Sequence, residues 1–193
     1  MQTRLILIRH GETDWNAQKR YMGSTDIELN ERGMAQARAL KLKLRGQAVS
    51  AVYSSSARRA MRFAECVFEG RAIETMPDLR EMGFGIFEGM RYDEITERYP
   101  ELYRAWVDDP FAIDIPDGES AGRFHQRILE AFRSIETRCE GRVSAVVTHG
   151  GPIGIFLSNV LGLKDIWAAM PETGDVRIVE REKGGIWAMS RLS

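Results

Sequence analysis

Scarcity says more about this 193-residue sequence than abundance does. It holds three histidines and two cysteines, and 27 Lys+Arg against 28 Asp+Glu leave it almost without net charge. Near-neutrality offers neither nucleic acid nor an anionic membrane a bulk field, so any anion binding must be local. Cys66 and Cys139 lie far apart in segments that read as helices, with neither a disulfide framework nor a metal-cluster spacing. Two reduced, structural thiols are expected. No apolar run approaches the roughly 20 residues of a membrane helix, and no charged-then-apolar leader opens the chain. A cytoplasmic enzyme without a membrane partner is the expectation. The patterns GxxxxGK[ST] and GxGxxG are both missing, so nothing supports a nucleotide cofactor.

What is present suffices for a real core: 44% of residues are hydrophobic, and the length suits one domain with room for an inserted subdomain. Leu5–Ile8 is an unbroken apolar run that stops at Arg9, His10 and Gly11, as a strand buried on both faces of a parallel sheet would. The polar stretch Thr13 to Asn30 is long for a connector and reads as functional. Asn30 caps a helix predicted to run to about Arg45, and Ser50–Tyr53 is a second strand. Ser54, Ser55 and Ser56 are candidate caps for a helix over Ala57 to Phe68, with a short strand following at Ala72–Thr75. From Arg80 to Glu119 this rhythm breaks, which predicts an inserted cap with helices near Tyr92–Arg98 and Glu101–Val107. A long amphipathic helix, Ser120 to Arg138, precedes the apolar strand Val143–Thr148, and Pro152 is tolerated at the start of the next helix. Val176–Glu180 and Ile186–Met189 flank Gly184-Gly185 as a hairpin. The predicted architecture is α/β, three α/β/α layers around a mostly parallel central sheet, with a small inserted cap at about 80–119.

Two of the three histidines share one unusual context, immediately after an apolar strand and immediately before a glycine. Ligands of open α/β sheets bind beyond the carboxyl ends of strands. Neighbouring strands would therefore bring His10 and His149 to one pocket, where Gly11 lets the backbone approach a ligand. His125, inside the amphipathic helix, is assigned a structural or solvent role. A metal is the competing guest for two histidines, but Arg9 beside His10 repels a dication and suits a phosphate dianion. The turn before Arg58 and Arg59, at a helix N-terminus, reads as a second anion site. Gly118–Gly122 matches the G-x-S-x-G of serine esterases, yet no strand leads into it and Ser120 reads as a helix cap.

In order, LIRHGETDWN, YSSSARRA, LREMGFGIFEG, PDGES and VVTHGGPI resemble the motifs of the histidine phosphatase superfamily, of the cofactor-dependent phosphoglycerate mutase type. The resemblance spans nearly all of residues 1–193. It implies that His10 is the nucleophile that becomes phosphorylated and that Arg9, Arg59 and His149 bind the phosphate. It also makes Glu81 the proton donor, and Asn16 and Gly150 further phosphate contacts. No metal or other cofactor is implied; the partners are a small phosphorylated substrate and inorganic phosphate as product. Met22, Phe63 and Gly154 stand where the family often has glutamine, threonine and arginine, so different rim contacts are expected.

Mutase and phosphatase share such a centre. The chain is short for a mutase, and residues 80–119 carry four arginines, no lysine and eleven acids, an unfavourable field for phosphoglycerates. Phe84, Phe87, Tyr92, Tyr103, Trp106 and Phe111 are either the cap's own core or a surface on which an aromatic leaving group stacks. The wording of the cap is similar to the α-ribazole phosphatase branch, which acts in cobalamin assembly. The expected activity is hydrolysis of a phosphomonoester, with α-ribazole 5′-phosphate as candidate substrate. Broad-specificity phosphomonoesterase is the alternative; a mutase or an idle binding protein is less favoured.

Overall fold

The computed structural model describes residues 2–164 and 169–191. Strand β1 (Gln2–Arg9) lies inside a six-stranded sheet, and its apolar residues alternate between two cores. Leu5 and Leu7 face one cluster, Ile6 and Ile8 the other, and all four are fully buried. Each such side chain contributes about 1.5–3 kcal/mol of burial free energy, which explains why no polar residue interrupts the run.

Four further elements build the half of the sheet that resembles a βα repeat. Helix α1 (Asp14–Ala17) is a single turn in the loop after β1; α2 (Glu31–Lys43), β2 (Ala51–Ser55) and α3 (Arg58–Val67) follow. Helices α2 and α3 cover the Ile6/Ile8 face. Asn30 caps α2 as expected, its Oδ1 accepting from Gly33 N–H at 2.9 Å. The serines do not cap α3. Ser54 and Ser55 belong to β2, the N-cap position is Ala57, and the cap comes from a distant loop, where Asp26 Oδ1 accepts the Arg58 N–H at 2.8 Å.

Strand β3 (Glu74–Met76) completes this edge, two residues later than its expected start. Residues 80–119 add no strand among the described residues; they carry α4 (Tyr92–Arg98) and α5 (Pro100–Asp108). Their aromatic side chains pack mainly on one another and on Tyr21. Phe87 and Trp106 are almost fully buried, and the Tyr21 and Phe84 rings meet edge-on at 5.2 Å. Helix α6 (Ala121–Arg138) begins at Ser120, whose Oγ accepts from Arg123 N–H, so the G-x-S-x-G serine is a helix cap. Strand β4 (Val143–Thr148) leads into α7 (Gly150–Leu161), in which Pro152 is the third residue, and Gly162 in the left-handed conformation ends it. Helices α6 and α7 lie in the Leu5/Leu7 cluster, across the sheet from α2 and α3. The last strands, β5 (Val176–Glu182) and β6 (Ala188–Ser190), pair antiparallel as a hairpin.

The strand order is β3-β2-β4-β1-β5-β6. The first four strands are mutually parallel, while β5 runs antiparallel to β1. The expectation of a mostly parallel three-layer α/β/α sheet holds. Cys66 and Cys139 are both free thiols. Among the described residues, no helix is long and apolar enough to cross a membrane.

One glycine does different work from that expected. A Cβ on Gly11 would stand 2.6 Å from Gly33 O and 2.8 Å from a Phe63 ring carbon, and one on Gly33 would stand 2.2 Å from Glu12 O. The smallness of Gly11 therefore serves contact with α2. Phe63 is fully buried in that same core, which removes it from the pocket rim. Gly33→Ala is expected to destabilise the protein by about 1–3 kcal/mol through overpacking and to lower activity by displacing the loop after His10. Gly122→Ala, where nothing lies within 4 Å, should be neutral or stabilising by up to about 1 kcal/mol. Denaturant midpoints of the two variants test the contrast.

Candidate active site

The parallel register of β1 and β4 pairs Arg9 with Thr148, so the next residues, His10 and His149, leave the sheet side by side. Their ring centroids are 5.0 Å apart, and both residues are almost fully buried. His10 Nδ1 lies 2.7 Å from the Gly11 carbonyl, which can only accept. Nδ1 therefore carries the ring proton and Nε2 presents its lone pair. His149 Nε2 forms a hydrogen bond with Ser55 Oγ at 2.8 Å, and the same hydroxyl accepts the Ala57 N–H.

Burial and two guanidinium groups keep both rings neutral. Burial pushes the His10 pKa well below its ordinary value, and Arg59 and then Arg9 push it further; His149 is lowered by burial, then Arg59, then His10 and Arg9. Arg59 is fully buried on α3, and burial pulls its own pKa down to about 10, which leaves it a cation at neutral pH. Its two terminal nitrogens donate to the carbonyls of Thr25 and Gly23 at 2.9 and 2.8 Å. That loop is itself held by Glu88, which accepts from the N–H groups of Gly23, Ser24 and Phe84. Burial raises the Glu88 pKa, but these bonds outweigh it and hold the carboxyl below its usual range. Arg9 donates Nη1 to Pro171 O at 2.8 Å.

Arg9 Nε, Arg59 Nε and His149 Nδ1 are buried and have no hydrogen-bond partner among the described residues. Leaving buried polar atoms unpaired is costly, and more so for charged groups.

Glu81 meets this centre from the segment 80–119. The residue as a whole is half-buried, but its carboxyl is enclosed, and burial raises its pKa against the lowering effect of the Gly151 and Met82 N–H groups and of Arg9 and Arg59. A Cβ on Gly151 would stand 2.2 Å from Glu81 Oε1, so the second glycine of His149-Gly150-Gly151 is what admits the carboxyl. Arg127 on α6 holds the main chain that carries Glu81: it donates to the carbonyls of Asp78, Arg80 and Glu81 and pairs with Glu119 at 2.6 Å. No local sequence signal marks Arg127, which reads as an ordinary polar residue of an amphipathic helix. Gly151 was visible in the sequence, but only the approach of Glu81 explains it.

Arg9, His10, Asn16, Glu81 and Gly150 line a cavity of about 510 Å³. Arg59 and His149 are not among the residues that line it. Asn16 forms a capping box with Thr13, its Oδ1 accepting the Thr13 N–H at 3.1 Å, which leaves the donor end of the amide as the part suited to an anion. Much of the remaining cavity wall is apolar, with Met82, Phe84, Trp106, Phe111, Phe124 and Ile155, while Lys19, Arg20, Ser158 and Asn159 also line it. His125 also lines this wall, meeting Phe111 edge-on at 5.7 Å. Met22 also lines the cavity, whereas Gly154 is buried within α7.

The family model described as the histidine phosphatase superfamily (branch 1) matches residues 5–193. The chain belongs to the histidine phosphatase superfamily. It is 30% identical over 184 residues to phosphoserine phosphatase 1 of Hydrogenobacter thermophilus, covering 93% of this chain and 87% of that one. It is 37% identical over 154 residues to phosphoglycerate mutase-like protein 4 of Arabidopsis thaliana, covering 77% and 67%. The crystal structure of the alpha-ribazole phosphatase from Shigella flexneri superimposes with a TM-score of 0.88 at 27% identity, over 98% of this chain and 95% of that one. This histidine phosphatase is a phosphoric monoester hydrolase.

The neutral histidines make a prediction about stability. Unfolded histidines take up protons below about pH 6.5, whereas these two do not in the folded state. Their contribution is intact above that pH and declines as pH falls below it, by up to about 1.4 kcal/mol per pH unit for each group. His149→Asn removes one of the two, so its urea midpoint should fall less than the wild-type midpoint between pH 6.5 and 5.

Proposed function

We propose that this histidine phosphatase hydrolyses its ester in two steps through a phosphohistidine at His10. In the first, His10 Nε2 attacks phosphorus, the bond from phosphorus to the ester oxygen breaks, and that oxygen takes the proton of the Glu81 carboxyl. In the second, the Glu81 carboxylate takes a proton from water, the water oxygen attacks phosphorus, and the N–P bond breaks to release inorganic phosphate. Arg9, Arg59, His149, Asn16 and the Gly150 N–H at the start of α7 bind the non-bridging oxygens. The observation that carries this reading is the His10 ring itself, with Nδ1 tied to Gly11 O and Nε2 left as a lone pair beside two buried guanidinium groups. Brief mixing with ³²P-labelled substrate should leave acid-labile label on the wild-type protein and none on His10→Ala; label on that variant overturns the assignment.

The raised pKa of Glu81 sets a pH dependence. The carboxyl must be protonated to serve the leaving group, so kcat/KM for an alkyl phosphate falls as pH rises through that raised pKa. Glu81→Gln should lower kcat/KM by about 10²–10⁴-fold and lose this alkaline limb. A limb that survives in the variant belongs to another group.

As physiological substrate we propose a nucleotide-like ester, α-ribazole 5′-phosphate, as in cobalamin assembly. The support is the aromatic wall of the cavity, on which the flat base of a nucleotide-like leaving group can stack. The structurally similar alpha-ribazole phosphatase points the same way. A broad-specificity phosphomonoesterase is the second reading, favoured by a wall whose contacts are mostly apolar and hence weakly selective. Comparing kcat/KM for α-ribazole 5′-phosphate, O-phosphoserine and sugar phosphates separates the two: a preference for the first beyond about 100-fold supports the specific substrate. Indifference supports the broad one.

A further inference from the structure

Gln36 sits on α2, outside the cavity, and the two-step reading gives it no role. Its side-chain amide nevertheless joins the two loops that aim Arg9 and His10. Oε1 accepts the N–H of Glu12, two residues beyond His10, at 2.8 Å. Nε2 donates to the carbonyl of Thr173, also at 2.8 Å. The loop around Thr173 holds the nucleophile strand from its other side: Pro171 O accepts Arg9 Nη1, and Gly174 N–H donates to the carbonyls of Arg9 and His10. Gly174 is left-handed at φ +78°, and a Cβ there would stand 2.9 Å from Gln36 Cδ. Only glycine lets that loop close over the amide.

We propose that Gln36 is a positioning residue: its amide clamps the loop after His10 to the loop that orients Arg9, and so sets the imidazole and the guanidinium at the distance one phosphate requires. The inference rests on the phosphohistidine reading. Its chemistry is specific, because the clamp needs an acceptor on one side and a donor on the other. A protonated glutamic acid supplies both. A carboxylate accepts from Glu12 N–H but turns a second lone pair toward the Thr173 carbonyl. Glu12 is adjacent through its main chain, and Asp175 and Lys43 share a shallow cavity with Gln36. The Thr173 carbonyl and the two acids favour the neutral form of a carboxyl placed here, while Lys43 opposes them.

The test is Gln36→Glu beside the wild type, with both confirmed folded by circular dichroism, and kcat/KM and the affinity for inorganic phosphate measured from pH 5.5 to 8. Misplacing reacting groups by about an ångström costs on the order of 100-fold. The expected ratio of wild type to Gln36→Met, which lacks both halves of the clamp, is thus about 100 in turnover and in phosphate affinity. Gln36→Glu should share that deficit at pH 8, where its carboxylate lacks the donor half, and recover as the carboxyl protonates. Wild-type behaviour of either variant at pH 8 overturns the clamp. Phosphate affinity that follows the titration while the wild type turns over no phosphomonoester would count against the phosphatase mechanism and support the clamp.

Discussion

The parallel pairing of β1 with β4 is the constraint on which the site depends. It aligns Arg9 with Thr148 and so delivers two histidines to one edge of the sheet with their rings 5.0 Å apart. Both strands are buried on two faces, and a slip of one residue would turn every apolar side chain toward the wrong core. The packing energy of the whole sandwich thereby holds the spacing of two imidazoles. Helices α2 and α3 on one face, and α6 and α7 on the other, add the groups that act on this pair.

Around the pair, positive charge is confined without being neutralised by acids. Arg59 is fully buried, and main-chain carbonyls take its terminal nitrogens; Arg9 is tied to Pro171 O in the same manner. Carbonyl dipoles orient a guanidinium but leave its charge to act on whatever enters. The consequence is a region where imidazole stays neutral and a dianion is favoured. Glu81 lies at its boundary, where burial raises its carboxyl pKa and the arginines lower it. One environment thus shifts the pKa of His10 down and that of Glu81 up.

The segment 80–119 resolves a choice that its composition left open. Its aromatics serve as both core and wall: Phe87 is fully buried, while Phe84 and Trp106 pack in the same cluster and also line the cavity. Glu81 and Glu88 turn inward to backbone N–H groups, while other charged residues pair at the surface, as Arg91 does with Asp93. A hydrophobic cluster that must exclude water to be stable also presents an apolar surface to the ligand.

Much of this was legible in the chain. Apolar runs ending in His-Gly, a capping Asn30 and the helical spacing of residues 120–138 are local patterns, because strand and helix periodicity is written within a few residues. By itself the sequence determined the α/β alternation, the hairpin around Gly184 and the placing of two histidines at the ends of apolar strands. Tertiary structure alone decided that β4 lies beside β1, that the α3 cap is Asp26, that Gly11 serves Gly33, and that Arg127, Gly151 and Gln36 support the centre. The physical reason is distance along the chain. Which buried donor meets which acceptor across dozens of residues is chosen by packing, and no local period records it.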